Sequence, residues 1–205
     1  VIILRMKILN GSELRDFIKE RQAKQVRALR QSWKVFPKLI ILYLSQSPVI
    51  ETYMRLKQQY GEDILIDVEK KYVPFSGLEA AIKEANEDEL IHGIIVQLPI
   101  EDSVGNVVSN DDILPIIDQI DPKKDVDGLT NGSLNSATAT AINWLLAGYN
   151  VNLQGKKIAI IGQGILVGLP LAKIWQTSGY DVTVFDINSS DEMRSKLSDF
   201  DIVVT

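Results

Sequence analysis

Short apolar runs alternate with segments of helical periodicity from Lys38 onward. Three of the runs predict buried strands: KLIILYL (38–44), DILIDVE (63–69) and HGIIVQLP (92–99). Between them the pattern predicts two helices, one beginning near Pro48, which suits a first helical turn, and one capped by Ser76. A further helix is predicted in NDDILPIIDQIDP, with Asn110 at its start. Alternating strands and helices are typical of a parallel sheet with right-handed crossovers.

A second unit follows the segment TATAINWLLAGYNVNLQG, which predicts a helix and a turn-rich linker. KKIAII predicts a strand, GQGILVG a glycine loop, and LPLAKIWQTSG a helix that ends at Gly179. YDVTVFD, SSDEMRSKLSDF (189–200) and DIVVT predict a strand, a helix and a third strand. The predicted fold class is therefore α/β, with a parallel-sheet α/β domain at residues 1–147 and a partial Rossmann-type nucleotide-binding domain at residues 148–205.

The N-terminal segment is basic. Residues 1–34 contain nine Lys and Arg against three acidic residues, and a basic helix could contact RNA or a membrane surface. An apolar stripe favours an ordinary amphipathic helix with a solvated basic face instead: Leu14, Phe17, Ile18, Val26 and Leu29. The residues before Met6 could lie upstream of the natural start.

Composition excludes several classes of protein. The net charge of −5 argues against a general nucleic-acid binder, and no apolar run reaches the roughly 18 residues of a membrane span. Cysteine is absent, so disulfides, thiolate metal sites and a cysteine nucleophile are excluded. His92 is the single histidine and precedes the third strand, so we predict a structural role for it and no metal centre. A cytoplasmic location is expected.

The glycine loop has the form G-x-G-x-x-x-G, with Gly162, Gly164 and Gly168 between a predicted strand and a predicted helix. Glycines let a backbone approach a pyrophosphate, and the N-terminus of the helix offers free N–H groups. The alternative is a tight turn that packing alone requires. Asp186, eighteen residues past Gly168 at the end of the next strand, lies where an acid would bind a ribose 2′-hydroxyl.

A second cluster of polar residues is predicted in the first unit. Ligands of open parallel sheets bind beyond the carboxyl ends of the strands. Tyr53 and Lys57 lie four positions apart on the helix after the first strand and therefore share a face. The exit of the third strand and the loop KKDVDG add further candidates: Gln97, Leu98, Pro99, Asp125 and Asp127. The spacing alone leaves two alternatives open: these side chains meet in one cleft, or they occupy ordinary surface positions.

The combination of four segments resembles a known family. YMRLK, GIIVQLP, KKDVDGLT and GKKIAIIGQGILVGLPLA occur in the order and approximate spacing of bifunctional methylenetetrahydrofolate dehydrogenase/cyclohydrolases. The resemblance implies a folate-binding catalytic domain followed by the nucleotide domain. It implies that Tyr53 stacks on the folate, that Lys57 is the catalytic amine and that Gln97 orients it. Asp127 would bind the pterin ring beside Leu98 and Pro99. The implied nucleotide-binding residues are Thr138, Gly162, Gln163, Gly164, Ile165, Gly168 and Asp186.

The implied chemistry belongs to one-carbon metabolism. The family oxidises 5,10-methylenetetrahydrofolate by hydride transfer to NAD or NADP, and then hydrolyses the methenyl cation to 10-formyltetrahydrofolate. Hydride transfer mainly needs positioning. Hydrolysis needs a proton carrier near neutral pH, whereas a free lysine titrates near pH 10.4, so burial and a cationic substrate must lower the pKa of Lys57. The expected partner is a small-molecule folate, with no nucleic acid or membrane and with a homodimer in a complete form.

The chain also departs from the family pattern. SATATA stands where the family has Pro-Cys-Thr-Pro, so that only Thr138 matches, and Ile50 replaces a serine. The family continues for several more strands, so we expect the chain to be an unfinished domain with an exposed apolar strand edge and low stability. These departures leave an alternative function, a non-catalytic or truncated relative that only binds a nucleotide or folate.

The glycine loop predicts the choice of cofactor. The family's Arg-Ser pair is replaced by Gln163 and Gly164, which offer neither a charge nor a hydroxyl to a 2′-phosphate. Asp186 adds a carboxylate near the same place, and like charges at about 4 Å repel by roughly 4 kcal/mol at a dielectric constant near 20. We therefore predict NAD over NADP, although Lys173 is a basic residue that could offset the repulsion.

Overall fold

A computed structural model describes residues 7–102, 104–130, 134–186 and 195–205. Its contacts divide the chain into two compact units: Phe17–Leu134 forms one, and the residues up to Asp16 together with Asn135–Thr205 form the other. Both contain parallel sheets with helices, so the predicted α/β class is confirmed. The functional boundary between residues 147 and 148 stays a prediction.

The secondary structure begins with helix α1 (Gly11–Ala28) and a π-helical turn (Leu29–Trp33). The other elements up to residue 134 are β1 (Lys38–Tyr43), α2 (Pro48–Ile64), β2 (Asp67–Tyr72), a 3₁₀ turn (Phe75–Gly77), α3 (Leu78–Glu87), β3 (Gly93–Val96) and α4 (Asn110–Ile117). The elements after residue 134 are α5 (Ala137–Gly148), β4 (Lys157–Ile161), α6 (Gly168–Thr177), β5 (Asp181–Phe185), a 3₁₀ turn (Leu197–Asp199) and β6 (Ile202–Val204).

The first sheet has the strand order β2-β1-β3 and is parallel throughout. Alternate residues of the central strand β1 pack on opposite faces. Ile40 and Leu42 belong to a core with α3 and α4, whereas Ile41 packs with Ile50 and Met54 of α2. Helices therefore cover both faces. The chain leaves β1 toward β2 and later returns to β3 on the other side, so the crevice at which ligands bind such sheets lies between the ends of β1 and β3.

Helix α2 carries the first candidate residues and is fixed at both ends. Ser47 caps it by accepting a hydrogen bond from the Ile50 N–H at 3.3 Å. Near its other end Gly61 lets the helix approach β2, because a Cβ there would lie 2.4 Å from Cγ2 of Val68. Leu65 ends the helix in the left-handed region, with φ of 66°.

Several predicted boundaries were wrong. DILIDVE does not form one strand, because α2 continues through Ile64 and β2 begins at Asp67. Ser76 is not a helix cap, since it lies inside the 3₁₀ turn that precedes α3. The third strand is shorter than predicted and ends at Val96, which leaves residues 97–99 as a loop. Asn110 begins α4 as predicted, and Ser109 caps it.

Strand β2 is an edge of the first sheet and is rich in charged side chains. Its sequence is DVEKKY, and its lysines and Glu69 form ion pairs with neighbouring elements: Lys38–Glu69 at 2.6 Å, Lys70–Glu51 at 2.8 Å and Lys71–Glu84 at 2.6 Å. The strand therefore contributes few apolar residues to the core.

The second sheet repeats this arrangement, with the order β5-β4-β6 and parallel pairing. Its core surrounds Trp175 of α6, which is 1% exposed and donates a hydrogen bond from its indole to Asn143 of α5 at 2.6 Å. Gly179, with φ of 81°, follows α6. Residues 189–194 of the helix predicted at 189–200 lie outside the described residues, and Leu197–Asp199 form a 3₁₀ turn.

Helix α1 buries little of its predicted apolar stripe. Val26 is buried, but Phe17 is 59% exposed and Leu29, in the turn that follows, is 39% exposed. Among the described helices, none combines the length and the apolar character that crossing a bilayer requires.

Candidate active site

The structure brings Lys57 and Gln97 into contact. Lys57 lies one turn after the buried Met54 on α2, and its Nζ donates a hydrogen bond to Oε1 of Gln97 at 2.7 Å. Gln97 directly follows β3, and its backbone N–H donates to the carbonyl of Leu42 at 2.8 Å. Its Nε2 donates to the carbonyl of Leu98 at 2.8 Å. These bonds orient the amide so that its oxygen faces the lysine.

Asp127 lies in a loop that the buried carboxylate of Asp125 organises. Asp125 is 2% exposed. Its Oδ1 accepts from the N–H groups of Asp127 at 3.1 Å and Gly128 at 2.9 Å, and its Oδ2 accepts from the N–H and hydroxyl of Thr130, both at 2.8 Å. Gly128 has φ of 69°, which suits a glycine. Four hydrogen bonds to one carboxylate therefore fix the backbone that carries Asp127.

The start of the same loop is attached to the sheet. The Ile94 N–H donates to the carbonyl of Lys124 at 2.8 Å, and Asp125 forms a parallel bridge with Ile94. The Lys124 ammonium donates to three carbonyl oxygens around the end of α3, those of Ala85 at 3.0 Å, Asn86 at 2.7 Å and Asp88 at 2.7 Å. The loop therefore begins beside β3, the strand that ends at Gln97.

Burial and charge shift the pKa values of Lys57 and Asp127 in opposite directions. Burial lowers the pKa of Lys57, and the nearby Asp127 carboxylate raises it partly back. Burial raises the pKa of Asp127; the Lys57 ammonium opposes this shift and the Asp125 carboxylate adds to it. Both shifts favour the uncharged form, so the site holds an amine and a carboxyl that exchange protons more readily near neutral pH than free side chains do.

The other residues predicted for this site lie around the same end of the sheet. Tyr53 is one turn before Lys57 on α2, and 58% of it is exposed, so its ring is available to a ligand. Leu98 is partly buried against the core, and Pro99 is exposed after a cis peptide bond. His92 accepts a hydrogen bond from the Lys38 N–H through Nδ1 at 3.3 Å, which is a contact at the start of β1.

The glycine loop is closed by its first and last glycines. Gly162 has φ of 101°, and its N–H donates to the carbonyl of Phe185 at 2.9 Å. A Cβ on Gly168 would lie 2.1 Å from the Gly162 carbonyl oxygen, so only glycine allows this approach. Packing therefore accounts for Gly168, whereas a Cβ on Gly164 would meet nothing within 4 Å.

The loop also offers unpaired donors. Across the described part of the chain, the N–H groups of residues 163–166 donate to no other group. Such a row of amides before a helix suits the pyrophosphate of a dinucleotide. Asp186 comes directly after Phe185, whose carbonyl pairs with Gly162, so its backbone lies beside the loop. The residues present therefore fit the pyrophosphate and a ribose of a dinucleotide.

A groove of about 440 Å³ lies along α6 and β5, lined among others by Gln163, Leu169, Lys173 and Val184. Gln163 thus belongs both to the loop and to the groove. The two remaining residues predicted for the nucleotide are Ile165, which is half-buried in the loop, and Thr138, which is exposed in the first turn of α5.

Two residues were missed or underrated from the sequence. Asp125 was noted only as a loop carboxylate. Its position two and three residues before Asp127 and Gly128 is typical of an aspartate that accepts hydrogen bonds from the following backbone N–H groups. Ser136 was not singled out, yet its buried hydroxyl donates to the carbonyl of Leu166 in the glycine loop. No local pattern connects two residues 30 positions apart.

Comparison with known proteins covers both units. The chain matches the sequence model of the tetrahydrofolate dehydrogenase/cyclohydrolase catalytic domain over residues 9–127 and that of the corresponding NAD(P)-binding domain over residues 136–205. It is 33% identical to the bifunctional protein FolD of Hydrogenobaculum over 195 residues, and 32% identical to that of Streptococcus pyogenes serotype M5 over 192 residues. Each match covers 87% of this chain, and 66% and 65% of the relatives, so the chain spans just under two thirds of their length.

Solved structures give the same result. The bifunctional FolD enzyme of Campylobacter jejuni has 27% identity and a TM-score of 0.83, covering 98% of this chain and 74% of that one. The Trypanosoma brucei enzyme, solved with NADP cofactor and an inhibitor, has 25% identity and a TM-score of 0.80, covering 97% of this chain and 70% of that one.

Proposed function

Because the chain belongs to the tetrahydrofolate dehydrogenase/cyclohydrolase family, we propose that it oxidises 5,10-methylenetetrahydrofolate with a nicotinamide dinucleotide and hydrolyses the product to 10-formyltetrahydrofolate. The contact between Lys57 and Gln97 is the observation that carries the proposal. An amine with a lowered pKa, held by a neutral amide and close to a carboxyl, has the properties that a proton carrier needs.

Lys57 moves the proton in the hydrolytic step. As the neutral amine it accepts a proton from the water that attacks the methenyl carbon. As the ammonium it then donates that proton to N5 when the carbon–N5 bond breaks. The hydroxyl of the adduct loses its remaining proton to solvent, which leaves the formyl group on N10 and releases one proton overall. Gln97 holds Nζ in place throughout, because its own Nε2 is bonded to the backbone. The cationic substrate lowers the pKa of Lys57 further and so favours the neutral amine at the start.

The other residues hold the substrate and the cofactor. Tyr53 stacks on the folate, Asp127 binds the pterin ring, and Leu98 and Pro99 form the adjacent wall. The loop from Gly162 to Gly168 holds the pyrophosphate through its unpaired amides, with Thr138 and Asp186 contributing to the same nucleotide site. When bound, the nicotinamide accepts the hydride, and the chain supplies the positioning that this transfer needs.

Replacement of Lys57 tests the proposal. Lys57→Met should reduce hydrolysis of methenyltetrahydrofolate by a factor of about 10² to 10⁴, the usual contribution of a general acid–base group. The measurement is the decay of methenyl absorbance, with circular dichroism as a check on the fold. Lys83→Met is the control, because that side chain is 77% exposed and makes only a 4.0 Å ion pair with Glu87.

The competing function is a relative that binds a nucleotide or folate without turnover. A coupled assay of methylenetetrahydrofolate-dependent reduction of NAD or NADP distinguishes the two functions. Binding of either ligand by calorimetry without any turnover would favour the binding protein, and hydrolysis that survives Lys57→Met would remove Lys57 from the mechanism.

We also propose that NAD is preferred over NADP. Asp186 can accept a hydrogen bond from a ribose 2′-hydroxyl, whereas it repels a 2′-phosphate. Gln163 and Gly164 add no positive charge or hydroxyl at the loop. Lys173 lies in the neighbouring groove, and its positive charge would reduce the preference for NAD if it reached the 2′-phosphate of NADP.

Exchange of three side chains tests this preference. The variant Gln163→Arg with Gly164→Ser and Asp186→Asn should bind NADP at least about tenfold more tightly, since each charge contributes on the order of 1 kcal/mol after screening. Gly164→Ser should be tolerated, because a Cβ there meets nothing within 4 Å. Calorimetry with both nucleotides measures the change, and Lys173→Met reports the part played by that lysine. Tighter binding of NADP than of NAD by the unchanged protein would overturn the preference.

We propose a folate site within residues 1–147 and a nucleotide site formed by residues 148–205 together with Thr138, in a cytoplasmic homodimer without nucleic-acid or membrane partners. The net charge of −5 supports the absence of a nucleic-acid partner. Sedimentation over a range of concentrations tests the dimer.

A further inference from the structure

Ser136 is placed to cap helix α5 but its hydroxyl does something else. It is the N-cap residue, with φ of −45° and ψ of 132°, and its backbone carbonyl accepts from the Thr140 N–H at 2.9 Å. A serine at this position usually accepts a hydrogen bond from an N–H of the first helical turn. Here the side chain makes no such bond, and its Oγ donates to the carbonyl of Leu166 instead. The residue is 3% exposed, so water does not replace that bond.

The acceptor lies in the glycine loop. The carbonyl of Leu166 and the N–H of Val167 belong to one peptide group. The carbonyl accepts from Ser136, and the N–H donates to the carbonyl of Gly164 at 3.4 Å. Leu169 donates to the same Gly164 carbonyl at 3.1 Å. Both ends of this peptide group are therefore bonded, which fixes the second half of the loop. The amides of residues 163–166 have no partner among the residues that the structure describes.

We propose that Ser136 is a positioning residue that holds the glycine loop in the shape in which its free amides bind a pyrophosphate. The proposal rests on the nucleotide site proposed above. Ser136 touches no ligand in this role and acts only through the Leu166–Val167 peptide group. The start of helix α5 thereby supports the nucleotide site, because the hydroxyl of its N-cap residue is bonded to the glycine loop.

The first test needs no ligand. In Ser136→Ala the Leu166 carbonyl loses its donor, so hydrogen exchange of the Val167 and Leu169 amides should accelerate about tenfold, as expected for a lost buried hydrogen bond. Exchange in β4 should not change. Ser136→Thr keeps a hydroxyl and should restore the slow exchange, and it also serves if the alanine variant does not fold. Ser178→Ala is the matched control, because Ser178 also donates to a backbone carbonyl, that of Ile174 at 2.8 Å.

The second test separates positioning from general stability. Binding of NAD, ADP and adenosine is measured by calorimetry for the same variants. ADP contains the pyrophosphate that the loop amides would bind, and adenosine does not. Ser136→Ala should weaken NAD and ADP about tenfold and leave adenosine unchanged, while Ser136→Thr and Ser178→Ala bind as the unchanged protein does.

The outcomes are distinguishable. If the unchanged protein binds no nucleotide, the proposed function fails, whereas the exchange experiment still decides whether Ser136 holds the loop. Unchanged exchange at Val167 and Leu169 in Ser136→Ala would overturn the proposal. So would an equal loss of affinity for all three ligands, because that result indicates a general loss of stability.

Discussion

Among single side chains, Asp127 places function and stability in conflict. Folding raises its pKa through burial, even though the Lys57 ammonium opposes the shift. A carboxyl of this kind contributes its full stability below the pKa of the unfolded chain, and the contribution is lost as the pH rises through the pKa of the folded state. Above the pKa of the unfolded chain, the raised pKa of Asp127 therefore lowers the free energy of unfolding relative to an uncharged residue of the same shape.

We expect Asp127→Asn to be more stable than the unchanged protein at neutral pH and to lose folate turnover. The gain in urea midpoint should shrink as the pH falls through the raised pKa of Asp127, because both proteins are then uncharged at this position. Asp181→Asn is the control, since that exposed carboxylate makes no hydrogen bond or ion pair within the described ranges. A loss of stability in Asp127→Asn at neutral pH would contradict the prediction.

The pairing of Lys57 with Gln97 was implied by the family resemblance, and two general rules made it possible. A helix places residues four apart on one face, and parallel strands collect their exits at one edge of the sheet. The bonds of Asp125 and Ser136 were not accessible in the same way. Each depends on where a short polar side chain points after folding, and Ser136 reverses the usual preference of a serine at a helix start.

The sequence pattern also misplaced one boundary between a helix and a strand. The boundary between α2 and β2 was misread because Ile64, Leu65 and Ile66 form a short apolar run, as a strand would. In the structure Ile64 instead continues the buried face of α2, which includes Met54 and Gly61. The strand that follows is a charged edge, DVEKKY, and its apolar signal is too weak to mark its start.

The Lys124 ammonium joins the Asp125 loop to the end of α3. Lys124→Met should lower the free energy of unfolding by about 2–3 kcal/mol, because three backbone carbonyl oxygens lose a charged donor. A cation at this end of a helix also interacts favourably with the helix dipole. Urea denaturation measures the change.

The neighbouring lysine gives a matched control for that experiment. Lys123 is exposed, and its ammonium makes no hydrogen bond or ion pair in the parts of the chain that are described. Lys123→Met should change stability by less than about 0.5 kcal/mol. Equal effects of the two substitutions would show that the contacts of Lys124 do not stabilise the junction.

On the scale of the whole molecule, the two sheets have the same arrangement. In each, the first strand is central, the second lies on one side and the third on the other. The candidate chemistry follows the first strand in both, as Lys57 on the helix after β1 and as the glycine loop after β4. Alternation of strands and helices predicted parallel sheets. It did not predict the strand order, because the same alternation is compatible with more than one order of parallel strands.

The charged strand β2 has a consequence for the colloidal behaviour of the protein. An open sheet edge exposes backbone groups that can pair with another chain, and charged side chains prevent such pairing. Glu69→Val with Lys71→Val leaves the net charge unchanged but makes this edge apolar, so we expect light scattering to rise with time and concentration. Glu79→Val with Lys83→Val makes the same chemical change on the exposed side of α3, away from the strand edge. Solutions of this variant should not scatter more light than the unchanged protein. Equal turbidity of the two variants would mean that surface hydrophobicity, and not the strand edge, limits solubility.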